Sequence, residues 1–160
     1  MERIFRGKTP SQDEHFDDGE WVEGYYTCFN GKEHRIYSGY AETDCGDYYP
    51  DWFNVRPETV GQYTGLTDKN GKKIFEGDII RYTRTNMFAP SCSFHNQDLV
   101  SLHLVLWDSS VSAFVQRHYE LNGKRILGKG SAVLYDERAK ENIVEVIGNI
   151  HDNKELLEVK

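Results

Sequence analysis

The sequence predicts a mainly β protein, built of two β subdomains with little helix. Three observations carry that prediction. Asn-Gly pairs at Asn30-Gly31, Asn70-Gly71 and Asn122-Gly123 each separate runs of β-prone residues, and both residues tolerate the positive φ that a tight hairpin turn requires. Leu102, Leu104 and Leu106 alternate with His103, Val105 and Trp107, a period of two that suits a strand with one face well buried. Glycine outnumbers proline fourteen to four, as in a turn-dense β protein.

The elements follow in order. A short strand is expected over residues 3–6, then a polar loop over 7–19. Strands over 20–29 and 32–38 flank Asn30-Gly31. Residues 41–51, AETDCGDYYPD, are acidic and read as turn-rich. The densest signal is 62–80, QYTGLTDKNGKKIFEGDII, where Gly65, Gly71 and Gly77 mark three successive turns. Gly65 and Gly71 are placed where left-handed dihedrals are needed, and Asp68 is placed to accept hydrogen bonds from the amides ahead of it. Glu76-Gly77-Asp78 turns the chain and Ile79 opens the next strand, as at the start of small SH3-like barrels. LVSLHLVLWD, SAFVQRHYE and VEVIGNI supply further strands, and DERAKEN and NKELLE at most short helical turns. The expected organisation is an acidic, aromatic-rich β part over 1–61 and a barrel-like part over 62–160.

A chain of 160 residues holds one ordinary core or two small ones. Its 13% aromatic content excludes a disordered chain, which would be poor in large buried rings. No apolar run approaches the roughly 20 residues of a membrane-spanning helix, and the first residues lack an apolar signal core, so a cytoplasmic protein is expected. Cys28, Cys45 and Cys92 are odd in number and widely spaced, which favours reduced thiols over a disulfide framework. The charge is uneven. Residues 1–60 hold six Lys and Arg against thirteen Asp and Glu, which accounts for the whole net charge of −7, and residues 61–160 hold thirteen of each. The first part would repel a phosphate backbone.

QYTGLTDKNGKKIFEGDII, then LVLWDSSVSAFV, then VEVIGNIHDN resemble the YopX family of phage and prophage proteins. The first motif is carried by Gln62, Tyr63, Thr64, Gly65, Leu66, Asp68, Lys69, Asn70, Gly71, Glu76, Gly77, Asp78 and Ile79. Trp107, Asp108 and Phe114 carry the second, and Glu145 to Ile150 with Asn153 the third. Lys154 stands where the family usually has proline. The motifs span the last hundred residues or so, while the first sixty are similar only loosely, through IFRGK and WFNVRPETVGQYTG. The resemblance implies a largely β protein of two subdomains in a bacterial host, and it implies no particular activity.

The residues themselves offer three chemistries. For metal binding, His15, His34, His95, His103, His118 and His151 show no HxxxH or HxH spacing. Cys92 and His95 form half a site at most, and His103 and His118 are placed to meet across two strands. For metal-assisted hydrolysis, Asp78 and Asp108 sit at strand ends and would have to converge on one pocket; Asp at such a junction more often accepts backbone amides. No G-x-S-x-G surrounds a serine, and no cofactor is called for. For single-stranded nucleic acid, Arg81, Tyr82, Arg84, Phe88, Phe94, Arg117, Tyr119, Lys124 and Arg125 mix basic and stacking groups, against a balanced charge. The acidic first part suggests the inverse, a protein that binds a basic surface. The loop over 83–97 carries Met87, Phe88 and Phe94, either as a partner-contacting surface or as a flap over a barrel end. The leading reading is a non-enzymatic binding module with a protein partner and no membrane. A nucleic-acid-binding barrel and a metal-assisted hydrolase are the alternatives, and open sheet edges leave room for homo-oligomers.

Overall fold

Two antiparallel sheets and two short 3-10 helices account for the regular structure in the computed structural model, which describes residues 3–10, 19–42, 45–46, 48–84, 99–119, 132–133 and 144–157. The chain divides into two units, Met1–Tyr63 and Thr64–Lys160.

In the first unit β1 (Phe5–Lys8), β2 (Trp21–Phe29), β3 (Glu33–Glu42), β4 (Tyr48–Asn54) and the start of β5 (Gly61–Thr67) pair in the order β4-β3-β2-β1-β5. Asn30 and Gly31 both have positive φ, 53° and 67°, and the Lys32 amide donates to the Phe29 carbonyl at 3.1 Å, so the first hairpin closes as its Asn-Gly pair predicts. β2 is shared between neighbours: residues 21–24 face β1 and residues 25–29 face β3. At the handover stands Gly24, where an added Cβ would lie 2.0 Å from the Tyr37 carbonyl oxygen. Only glycine lets the backbones approach so closely.

Period-two alternation then sorts the side chains. Tyr26, Ile36 and Phe53 are register partners on one face and join Val22, Val55, Phe5 and Val60 in the core. Tyr25, Tyr37 and Trp52, each one residue away, are register partners on the other. The expectation of turn-rich structure over 41–51 holds at residues 45–46 but needs correction at 41–42, which end β3, and at 48–51, which open β4 along it. Pro50, which reads as a strand breaker, is tolerated because β4 ends the strand order and pairs on one side alone.

In the second unit the rest of β5 pairs with β6 (Lys73–Phe75). Then β7 (Asp78–Arg84), β8 (Leu99–Asp108), β9 (Ala113–Tyr119), β10 (Ala132–Val133) and β11 (Val144–Asn149) form a sheet ordered β10-β9-β8-β7-β11. The sheet is open. The expected barrel is not formed among the described residues, since β10 and β11 end the order and are not paired with each other. Ile74, Ile80, Val105, Val144 and Val146 make the core, with Leu66, Tyr82 and Phe114 against it. β8 is buried on both faces at its centre, since Leu102 and Leu104 are covered and so are His103 and Val105; a leucine stripe facing a solvated partner face is therefore only half the picture. Gly65 lies inside β5 rather than in a turn, although its φ of 87° is positive as expected. The Asn122-Gly123 turn, DERAKEN and most of the loop over 83–97 lie outside the described residues.

Candidate functional site

The motif-rich segment is the obvious place to look for chemistry, and its polar groups are already engaged with the backbone. Asp68, buried, accepts the amides of Asn70 (2.8 Å) and Lys72 (2.9 Å) on Oδ1 and that of Val146 (3.0 Å) on Oδ2. One carboxylate thus shapes its own turn and fastens it to β11. Asp78, 1% exposed, accepts the Phe75 amide at 2.8 Å. Between them Gly77, at φ 82°, donates to the Val105 carbonyl and accepts from the Ile150 amide, both at 2.9 Å. Glu76 reaches the Trp107 amide at 3.2 Å. In the third motif Asn149 Oδ1 accepts the amides of His151 and Asp152, and Asn153 Oδ1 that of Asn149. The three motifs interlock through backbone hydrogen bonds around the start of β7.

The carboxylates proposed for hydrolysis do not form a pair. Asp78 opens β7 inside the core, whereas Asp108 sits at the end of β8 and binds Ser110 through its amide (2.9 Å) and hydroxyl (2.6 Å). Those Ser110 bonds, with Arg117 nearby, hold Asp108 below its ordinary value. His103 and His118 are register partners, as expected, and His103 Nε2 meets Ser101 Oγ at 2.8 Å. Among the described residues no three His, Cys, Asp or Glu side chains cluster to hold a metal.

The basic and aromatic residues considered for nucleic acid are split. Arg81 and Tyr82 are neighbours on one strand and so point to opposite faces: Tyr82 packs against the core and edge-on to His103. Arg81 binds Glu145 across β7 and β11 at 2.6 Å, and Lys69 binds the same carboxylate at 2.7 Å. Lys69 and Arg81 together hold Glu145 below the ordinary glutamate value, so an anion would have to displace a carboxylate already seated there. Arg117 shares the Arg81 face by register but neighbours Asp108. Arg84 and Tyr119 are placed by backbone alone, in β7 and β9. Lys124, Arg125, Met87, Phe88 and Phe94 lie outside the described residues.

What the sequence did not single out is the outward face of β2, β3 and β4. Tyr25, Tyr40 and Phe29 are each more than half exposed and Trp52 is 44% exposed. These side chains come from positions 25 and 29, 37 and 40, and 52, brought to one face by strand register. A bulge between Tyr37 and Gly39 offsets the alternation, so the Tyr37 and Tyr40 rings meet edge to face at 5.7 Å. Ser38, at the bulge, donates to Asp51 Oδ2 at 2.8 Å. Burial first, then the Tyr40 hydroxyl and last the Asp51 carboxylate push Tyr37 up to about 12. Lower on the face the Arg35 guanidinium lies 3.9 Å from the Trp52 ring centre and 5.6 Å from that of Phe29, and pairs with Glu33. Glu33 and Arg35 also border a groove of about 670 Å³ at the hairpin end, together with Lys32, His34, Asn54 and Pro57. Large aromatic rings of this kind are the side chains in which the cores of protein interfaces are enriched.

The fold and its interlocked motifs define a class, the mainly β proteins made of two antiparallel sheets. The model of the YopX protein family matches residues 15–158, and the chain belongs to that family. It is similar over 98% of its length to a protein of Enterococcus faecalis, EF1440, known from a crystal structure. That match covers 97% of the other chain at 23% identity, with a TM-score of 0.55, and is a likeness of fold. No curated protein matches the chain.

Proposed function

We propose that this protein is a phage or prophage accessory protein that works without catalysis, by docking a partner protein on the outward face of β2, β3 and β4. The observation that carries the reading is the exposure of Tyr25, Phe29, Tyr40 and Trp52 on one face of one unit. Leaving such rings in water forgoes roughly 1.5–3 kcal/mol of burial for each large apolar side chain, and aromatic side chains of this kind supply the anchors of protein interfaces. A protein suits the face better than a nucleic acid, because the first 60 residues carry a net charge of −7 and would repel phosphates. The motif resemblance supports a phage or prophage origin, which would place the partner in the bacterial cytoplasm.

The reading is tested by capture from a bacterial lysate with the wild-type chain and with the combined Tyr25→Ser, Tyr40→Ser and Trp52→Ser variant. A protein retained by the wild type and lost by the folded variant is the expected result. Equal retention by both, or turnover of an ester or nucleotide panel by the wild type, would overturn it.

A further inference from the structure

We infer that β11 is a pairing edge for a second copy of this chain, and that the turn opened by Asp68 and Lys69 keeps it closed. Among the described residues β11 ends the strand order and pairs with β7 alone. A strand in that position presents main-chain groups on which another chain can pair. Two of those groups are already taken. The Lys69 amide donates to the Val144 carbonyl at 3.0 Å, and the Val146 amide donates to Asp68 Oδ2 at 3.0 Å. A carbonyl and an amide two residues apart are the groups that a neighbouring antiparallel strand would engage. Here an amide and a carboxylate from adjacent turn residues stand in for that strand.

The covered groups are complementary to themselves, which selects the occupant. Antiparallel pairing alternates, so Glu145 directs its main chain to Arg81 of β7, while Val144 and Val146 direct theirs outward to the turn. Two copies related by a two-fold axis at Glu145 would each give a Val146 amide to the other's Val144 carbonyl, an isologous contact that closes on itself. The two Glu145 side chains would then stand directly opposite each other, where like charges oppose pairing. Lys69 guards the edge twice, because its ammonium lies 2.7 Å from the Glu145 carboxylate while its amide holds Val144. An incoming strand has to displace both. The turn is closed by the Gly71 amide on the Asp68 carbonyl at 2.9 Å. Lys69 thereby occupies the second turn position, where proline is favoured, so its amide can be deleted without breaking the turn.

The test measures the mass of the full chain in solution by light scattering over a concentration series. Lys69→Pro removes the amide that covers Val144, and Lys69→Ala removes the same ammonium but keeps the amide. Asp68→Asn opens the other half of the guard: it sets a side-chain amide nitrogen against the Val146 amide and retains an acceptor for Asn70 and Lys72. Relative to wild type and Lys69→Ala, both Lys69→Pro and Asp68→Asn are expected to reach twice 18.6 kDa at concentrations about tenfold lower, the scale of one main-chain hydrogen bond released to the second copy. Adding Glu145→Cys to either opened variant should give a disulfide between the two copies at position 145, read by peptide mass spectrometry, since directly opposed side chains of a non-hydrogen-bonded pair are within bridging reach. Folded Lys69→Pro and Asp68→Asn proteins that keep the wild-type mass at every concentration would overturn the inference. So would association of Lys69→Ala as strong as that of Lys69→Pro, or a bridge at position 145 formed as readily with the turn intact. Should Lys69→Pro not fold, Asp68→Asn and its Glu145→Cys form decide alone.

Discussion

The two units use their polar and aromatic side chains in opposite ways. In Thr64–Lys160 the motif residues are turned inward to the backbone: Asp68, Glu76, Asp78, Asn149 and Asn153 each accept one or more main-chain amides. In Met1–Tyr63 Tyr25, Phe29, Tyr40 and Trp52 of β2, β3 and β4 are turned outward and 44% to 69% exposed, with Arg35 lying on Phe29 and Trp52. The contrast teaches where to look for function. The motifs that identify the family build the second sheet, and a buried carboxylate committed to three main-chain amides is not free to bind a substrate. Exposed rings occur in both units, since the motif residue Trp107 is 47% exposed, but the row of four lies in the unit that the motifs barely mark.

The contrast is broken most directly at Asp68. Asp68→Ala leaves the amides of Asn70, Lys72 and Val146 without their acceptor, and is expected to cost about 3–5 kcal/mol in urea unfolding, as for loss of a buried charged hydrogen-bonding partner. Partner binding through the first unit should survive in whatever fraction remains folded. A loss below about 1 kcal/mol would mean that the motif residue is not structural in the sense argued. Gly24→Ala comes next. Its Cβ would meet the Tyr37 carbonyl at 2.0 Å, forcing β2 and β3 apart, for an expected cost of about 2–4 kcal/mol, comparable to a severe overpacking change. Because Tyr37 stands at that contact, Gly24→Ala should damage fold and docking together, and an effect on stability alone would show the face to be less tied to strand pairing than the register indicates. Trp52→Ala is smaller for stability, about 0.5–1 kcal/mol for a partly exposed cation–ring contact. It should nevertheless remove most of the partner binding, a separation that unfolding and capture measured on one preparation would show.

Much of this architecture was legible in the residues. The Asn30-Gly31 hairpin, the β8 alternation and the Asp68 turn all rest on local chemistry, positive φ, period two and a short acceptor, which act over a few residues. β4 was not legible, because it opens in an acidic, turn-prone stretch and contains Pro50, and what makes it a strand is pairing with β3. The same limit hid the aromatic face. Tyr25, Phe29, Tyr37, Tyr40 and Trp52 are visible as an aromatic excess, but only the register and the bulge at Gly39 put them on one side. Arg81 and Tyr82 show the reverse error: adjacent in sequence, they suggest one basic and stacking surface, and the alternation of a strand sends them to opposite faces. Barrel closure was likewise beyond local signals, since it depends on which strands end the order.

The smallest effect tests whether the charges of the second unit are as fully engaged as its amides. Glu145 is held below its ordinary value, first by Lys69 and then by Arg81. A carboxylate with a depressed folded-state pKa contributes stability above its unfolded value, and that contribution disappears as pH falls through the folded value. Glu145→Gln removes the titrating group, so the variant should be slightly less stable than wild type at neutral pH and should converge with it in acid, from about pH 5 downward. The difference will be small because Arg81 and Lys69 are both partly solvated and exposed pairs contribute little. Urea midpoints at a series of pH values would show it. Parallel curves would mean that the pair is idle, leaving Arg81 available to an anion and returning weight to a nucleic-acid surface. Convergence in acid would mean that Glu145 occupies both cations, so that the second unit offers a phosphate backbone no free charge at that edge and the contact surface remains with the first.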